Sequence, residues 1–198
     1  VNDRSRLEAA LNQSSAASSD FDLNPDVVLP AGRKLRPAGV LVPVMKGSFG
    51  AEVLLTKRSS RLKHHPGQIA FPGGKQDDGD ADVIAAALRE AEEEVGLPRT
   101  HVEVLGTLPT HETVTGFLVT PVVGWIETDF DVVPEPGEVA EVFRVPLAHV
   151  TGSECFTVQS RRWRGTRRHF YTVPFGPYYI WGATARILRG LAERMEAV

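Results

Sequence analysis

The stretch from residue 81 to residue 97 constrains the fold more than any other. A helix turns 100° per residue, so Ile84, Ala87, Leu88, Ala91 and Val95 fall on one face, fit to bury against a sheet. Glu90, Glu93 and Glu94 share an arc of about 100° on another face. The pattern predicts a helix over about residues 81–95. Asp80 or Asp82 can cap its start, and Gly96 with Pro98 can end it. Arg89 stands one turn before Glu93 and can pair with it. Glu92 points away from the cluster and reads as an ordinary surface residue.

Strand-like segments flank this helix. The apolar run 38–45, a turn at 46–50 and the run 51–58 read as a hairpin. Residues 59–80 read mostly as loop. Residues 101–108, 116–126 and 139–147 read as further strands, 155–173 as a hairpin turning near Gly165, and 180–197 as a closing helix. Strands on both sides of one mid-chain helix argue for the α/β class, a sandwich with a mixed β-sheet. Residues 1–37 are expected to be peripheral and partly flexible, with a short helix at 4–11 and a polar link at 12–20. Residues 38–194 are expected to form the packed domain.

Composition narrows the partners. The 198 residues carry 22 basic and 25 acidic side chains, a net charge of -3, so a nucleic acid duplex is not the expected partner. The single cysteine, Cys155, cannot form an internal disulfide, which fits a reducing compartment. No apolar run reaches membrane-spanning length, and the first twenty residues have no apolar block like that of a signal peptide. The expectation is a cytoplasmic protein with no membrane partner, as a monomer or a homodimer.

Three like charges on one helical face repel, at roughly 0.2–0.5 kcal/mol for each i,i+3 or i,i+4 pair. Glutamates near a helix C-terminus also face the unfavourable end of its dipole. A divalent cation with oxygen ligands resolves both conflicts, and such cations commonly act together with substrate phosphates. The plainer reading is a solvated acidic face. The preceding "PGGK" weighs against it, because glycines let backbone approach the helix closely. Neither G-x-G-x-x-G nor a P-loop pattern is present.

"REAEEEVGL", Arg89 to Leu97, resembles the second half of the Nudix hydrolase box Gx5Ex7REUxEExGU. The first half departs from it: Gly74 and Arg89 are fifteen positions apart where the box has fourteen, and Asp77, Asp78 or Asp80 stands near the place of the isolated glutamate. "LLTKRSSRLKHHPGQIAFPGGKQDD", Leu54 to Asp78, resembles the extended motif of the coenzyme A pyrophosphatase branch, as do "HETVTGFLVTPVVG" and "YYIWGATARIL". The resemblance implies an α/β/α sandwich whose box helix holds Mg²⁺ or Mn²⁺. It also implies water attack on a nucleoside diphosphate conjugate, a small-molecule substrate. In that branch, coenzyme A or a derivative gives 3′,5′-ADP and 4′-phosphopantetheine or its acyl form. The alternatives are a Nudix hydrolase of ADP-ribose, a dinucleotide or another nucleoside diphosphate derivative, and a non-catalytic Nudix-fold nucleotide-binding protein.

By this resemblance Glu93 and Glu94 are expected as metal ligands, with Glu90 as a ligand or a water-positioning base and the Gly74 carbonyl as a further ligand. Glu138 is the candidate for an additional catalytic carboxylate, with Glu141 behind it and Glu112 a weaker choice; each can equally be a surface glutamate. His111 could approach the scissile phosphate. Arg58, Lys63, His64, Gln68, Gly73 and Gly74 are the expected substrate-binding residues, Arg58 through its forked donors. Arg58 could instead only hold the loop. The run "RRWRGTRR", with Arg161, Arg162, Arg164, Arg167, Arg168 and Trp163, could attract a 3′-phosphate, contact a partner subunit or RNA, or form a solvated hairpin. The "YYIWG" aromatics read as core or pocket wall.

Overall fold

The computed structural model describes residues 2–163 and 165–198; Arg164 of the basic run lies outside the described residues. In chain order, helix α1 (Asp3–Leu11) leads to the short strand β1 (Ser18–Ser19), then to the hairpin β2 (Arg36–Gly47) and β3 (Gly50–Arg58). Strands β4 (Ile69–Ala70) and β5 (Gly73–Lys75) precede helix α2 (Val83–Val95). Strands β6 (Glu103–Thr107), β7 (His111–Glu112), β8 (Phe117–Ile126) and β9 (Val139–Pro146) follow. The chain ends with α3 (Leu147–Thr151), the hairpin β10 (Thr157–Trp163) and β11 (Thr166–Thr172), and α4 (Gly182–Glu196). Helix α2 begins just after Asp82, whose carboxylate accepts the Ala85 N–H at 2.8 Å. Gly96 ends it in the left-handed conformation.

Period-two alternation sets the layers. Along β2, Val42 and Val44 face one side and Leu41 and Met45 the other. Strands β3 and β8 divide likewise: Val53, Leu55, Val119 and Val123 join the first side, Leu54, Val122 and Ile126 the second. The sheet is therefore buried on both faces. Helix α2 covers the second face with Ala87, Ala91 and Val95. Helices α1, α3 and α4 cover the first with Leu7, Ala10, Leu147, Val150, Leu188 and Leu191. The result is an α/β/α sandwich on a mixed sheet of order β1-β7-β8-β2-β3-β4, with β5 joined to β2, β6 to β8 and β9 to β3. The β2–β8 and β1–β7 pairs are parallel and the other pairs in this sheet antiparallel.

The hairpin strands β2 and β3 pair only near their turn, from Val44–Val53 to Gly47–Gly50. Beyond that point β3 takes β4 as its neighbour (Thr56 opposite Ala70), and β2 takes β5 (Gly39 opposite Gly74). Phe71 and Pro72 cross the gap between them. This carries Gly73 and Gly74 to the α2 side of the sheet. Gly39 lets the helix in, because a Cβ there would overlap the backbone carbonyl of Val83.

The first 37 residues contribute more than the peripheral segment their composition implies. Leu7 and Ala10 are fully buried. Arg194 of α4 donates to the carbonyls of Ala10 and Leu11, at 3.1 and 3.4 Å, satisfying the open end of α1. The link at 12–20 is tied as well. Its Ser18 and Asp20 bond the two ring nitrogens of His111 at 2.9 and 3.0 Å, and β1 pairs with β7. The Ser-rich stretch looks unstructured locally because its partners lie about ninety residues away. Among the described residues, no helix is long and apolar enough to cross a membrane.

The substitution Gly39→Ala is expected to lower stability by about 1–3 kcal/mol, since backbone rather than a movable side chain blocks the new methyl group. Thermal unfolding should show a fall in Tm of several degrees; an unchanged Tm would mean that α2 does not sit this close to β2.

Candidate functional site

The site is built where α2 crosses β5. Glu94 lies on the buried flank of the helix and is 5% exposed. The Gly73 N–H donates to its Oε2 at 3.3 Å. One turn earlier, the Glu90 carboxylate rests against Gly74, where a Cβ would collide with it. The Gly-Gly pair thus serves as a surface with no side chains, against which two carboxylates can be packed.

Arg89 organises the outer side. Its Nε and Nη2 grip both oxygens of Asp80 at 2.9 Å each. Its Nη1 donates to Glu90 at 3.0 Å and to Glu93 at 3.1 Å. Asp80 is held down to about 2, chiefly by Arg89 and then by the Asp77 N–H. Asp82 rather than Asp80 caps the helix, and Asp80, six positions after Gly74, clamps Arg89. Glu93 is the most exposed of the cluster, at 59% of its side chain. Glu92 pairs with Arg99 at 2.8 Å, away from the cluster.

Two further segments converge here. The loop before β9 docks on the end of α2 through backbone bonds from Val133 to Val95 and from Glu135 to Glu94, at 3.0 and 2.9 Å. Glu135 then accepts the Glu138 N–H at 2.8 Å, fixing the turn that presents Glu138. The Glu138 carbonyl accepts from Ser59 at 2.7 Å, next to Arg58. Glu135 was not visible as a site residue in the sequence, because its role depends on which loop meets the helix end. Arg58 has a buried Nε with no hydrogen-bond partner among the described residues. Its backbone pairs with that of Gln68 at 2.9 Å.

The charge balance is unfavourable for Glu94. Burial pushes it up to about 8, and the charges of Glu90 and Glu138 add to the rise; the Gly73 N–H and Arg58 oppose it. Burial also raises Glu90, with Glu93 and Glu138 adding, against the pull of Arg89. Glu90, Glu138 and Arg58 thus all act on Glu94.

Other expected residues lie elsewhere. Lys63 and His64 are exposed in the loop before β4 and form no hydrogen bond or ion pair among the described residues. His111 is fully buried between Ser18 and Asp20, which leaves its ring no free nitrogen for a phosphate. Glu112 pairs with Arg33. Glu141 accepts from Tyr178.

Among the described residues, no three His, Cys, Asp or Glu side chains are arranged as a group that could hold a metal ion. Glu90 and Glu93 turn toward Arg89, and Glu94 toward Gly73. The donors nonetheless match a hard divalent cation in kind. They are all oxygen, they repel one another, and the missing Cβ of Gly74 gives the Glu90 carboxylate its place against the backbone.

Because Glu94 takes up its proton at a higher pH folded than unfolded, the native state holds that proton between about pH 4.5 and 8 while the unfolded chain has lost it. Its contribution is therefore fully present below pH 4.5 and disappears as pH rises through 8. In metal-free buffer, Glu94→Gln should flatten this decline and raise Tm at pH 8–9, by up to a few kcal/mol in stability. Parallel pH–Tm curves for the two proteins would show that Glu94 is not strained by burial.

Comparison with known proteins agrees with this geometry. Residues 35–171 match the family described as NUDIX domain. The chain is 46% identical over 157 residues to "Uncharacterized Nudix hydrolase NudL" of Cronobacter sakazakii, covering 79% of this chain and 81% of the relative. The same figures hold for the protein of that name from Escherichia coli O1:K1 / APEC. Among solved structures, the NUDIX domain of Shewanella oneidensis NrtR, complexed with ADP ribose, aligns with a TM-score of 0.52 at 17% identity, over 88% of this chain and 94% of that one. A MutT/nudix family protein from Enterococcus faecalis aligns at 0.51 and 15%, over 100% and 75%. At these identities the two structures speak for the fold alone. On the domain match and the 46% identity, this chain belongs to the Nudix hydrolase family.

Proposed function

We propose that the chain hydrolyses the diphosphate linkage of a nucleoside diphosphate conjugate, at the carboxylates of α2. The observation that carries this reading is the buried Glu94, raised by the half-buried Glu90 and the exposed Glu138, together with Arg58, whose buried Nε has no hydrogen-bond partner among the described residues. A solvated acidic face would not bury Glu94 to 5% exposure. Such an arrangement is unfavourable for folding and suited to gathering a cation and a phosphate.

Glu90, Glu93 and Glu94, with the Gly74 carbonyl, are the proposed ligands of Mg²⁺ or Mn²⁺. When bound, that ion neutralises phosphate charge and makes water more acidic. Arg58 is proposed to hold a nonbridging phosphate oxygen through its forked donors. Glu90 and Glu138 are the acceptors available for the proton of the attacking water. Water adds to one phosphorus, the bond to the bridging oxygen breaks, and two phosphomonoesters leave. Gln68, Gly73 and Gly74 shape the floor of this site, while Lys63 and His64 could reach a bound substrate from the exposed loop.

Within this class, the motif resemblance at residues 54–78 favours coenzyme A or a derivative as substrate. The general class rests on more: family membership and site geometry support any nucleoside diphosphate conjugate equally, ADP-ribose and dinucleotides included. The reading is tested with Mg²⁺ or Mn²⁺ and a panel of such conjugates. 3′,5′-ADP released from coenzyme A would identify the coenzyme A reading, and AMP released from ADP-ribose at far higher kcat/KM the other. Binding without product from any conjugate would make the chain a nucleotide-binding protein instead. Glu93→Gln and Glu138→Gln are each expected to lower kcat by about 10²-fold or more with little change in Tm. Near-full activity of either variant would remove that residue from the proposed site.

A further inference from the structure

The hairpin β10–β11 forms a two-stranded sheet of its own, apart from the main sheet. Every described residue of β10 is exposed. Isolated two-stranded ribbons are marginal in water, so this one needs support from elsewhere. Part of that support is Asn24, whose side chain bonds both the N–H and the carbonyl of His169, at 2.8 and 2.9 Å. The other part is the segment after β11. Val173 bonds the Ile180 carbonyl at 2.9 Å, and Trp181 bridges to Thr172.

Between the ribbon and this segment lies a cleft of about 290 Å³, lined by Gln159, Ser160, Arg161, Phe170, Tyr179 and Trp181. Three of the six are aromatic. Phe170 and Trp181 pack with ring centroids 5.0 Å apart, and Tyr179 remains 49% exposed. The pairing register puts Gln159 opposite Phe170 and Arg161 opposite Arg168, so these four share one face of the ribbon. Arg168 lies over the Trp163 ring at 4.8 Å, and its Nε is buried without a hydrogen-bond partner. Among the described residues, none of Arg161, Arg162, Arg167 and Arg168 forms an ion pair with an acidic side chain, although the chain as a whole is acidic. Helix α4 starts directly after Trp181 with no side chain capping it, and its dipole adds positive potential at that end.

We propose that this cleft binds a phosphorylated nucleoside, its base stacked on Phe170, Tyr179 and Trp181 and its phosphate monoester held by Arg161. Aromatic faces accept any base by stacking, and the amide of Gln159, on the same face as Phe170, can bond a base edge. A bare anion would explain the arginines but not the aromatic wall. An apolar ligand would explain the wall but not the arginines.

The cleft is tied to the hydrolytic site by the strand that carries Arg58. Tyr178 stacks on Phe143 at 3.5 Å and donates to Glu141, while Thr184 donates to the Ile69 carbonyl at 3.0 Å. Ile69 and Glu141 are the two cross-strand neighbours of Lys57, the residue before Arg58. The assignment of the cleft to the nucleotide half of the substrate rests on the hydrolase reading above; binding itself does not.

Two measurements test it. Adenosine 3′,5′-bisphosphate is titrated into the metal-free protein and followed by calorimetry, with Arg161→Gln, Tyr179→Ser and, as a control for loss of charge elsewhere, Lys34→Gln. Binding weakened about tenfold or more by the first two and unaltered by the third is the expected result. Steady-state kinetics are then compared for coenzyme A and dephospho-coenzyme A. Arg161→Gln should raise KM for coenzyme A by about tenfold, leave kcat within about twofold, and leave dephospho-coenzyme A unaffected. Equal effects on both substrates, or bisphosphate affinity unchanged in both cleft variants, would overturn the proposal. So would a single-stranded RNA oligomer that binds far more tightly than the bisphosphate with the same Arg161 dependence, which would make the ribbon a nucleic-acid surface. If no diphosphate is hydrolysed but bisphosphate binding still depends on Arg161 and Tyr179, the hydrolase reading fails and the cleft stands.

Discussion

The chemistry of this molecule depends on how closely α2 approaches the sheet. Two positions without side chains permit it: Gly39 under the first turn of the helix and Gly74 under Glu90. At that separation a carboxylate on the inner flank cannot reach solvent. Glu94 is consequently buried, with one backbone N–H as its donor. Packing the same helix a few ångströms higher would hydrate Glu94 and remove the repulsion that gives the site its character. The divergence of β2 and β3 is the other half of the arrangement, since only a gap between them lets Gly73 and Gly74 enter as a strand.

Charge in the cluster is arranged unevenly. Asp80 claims two donors of Arg89, and Glu90 and Glu93 share the third. The outer carboxylates are therefore largely compensated, while Glu94 faces Glu90 and Glu138 with Arg58 as the opposing cation. A helix stabilised only for its own sake would not retain this conflict. Sites that gather charge retain such conflicts because ligand binding relieves them. The loop 127–138 belongs to the same design: its backbone bonds to the end of α2 bring Glu138 into range, and Glu135 sets the turn.

The other face of the sheet is occupied by structure that the domain core alone does not require. The N-terminal segment is held by Arg194, by the His111 bridge and by Asn24, three polar contacts to distant parts of the chain. Asn24 links it to the arginine-rich ribbon. Support of the ribbon and order in the first 37 residues are therefore coupled, which composition could not reveal.

Periodicity alone determined much of this protein. The apolar face of α2, its stop at Gly96, the alternation within β2, β3 and β8, and the hairpin around Gly165 all follow from spacing, because 3.6- and 2-residue repeats are local properties. The sharing of one face by Glu90, Glu93 and Glu94 follows in the same way. Which of the three is buried does not, since that depends on the docking distance of α2. Nor could spacing assign Asp80 to Arg89, bury His111 against Ser18 and Asp20, or join the Glu138 carbonyl to the Ser59 N–H. Each of those pairings is long-range in sequence or set by a loop, and a side chain's partner there is chosen by the packing of elements that local pattern does not order.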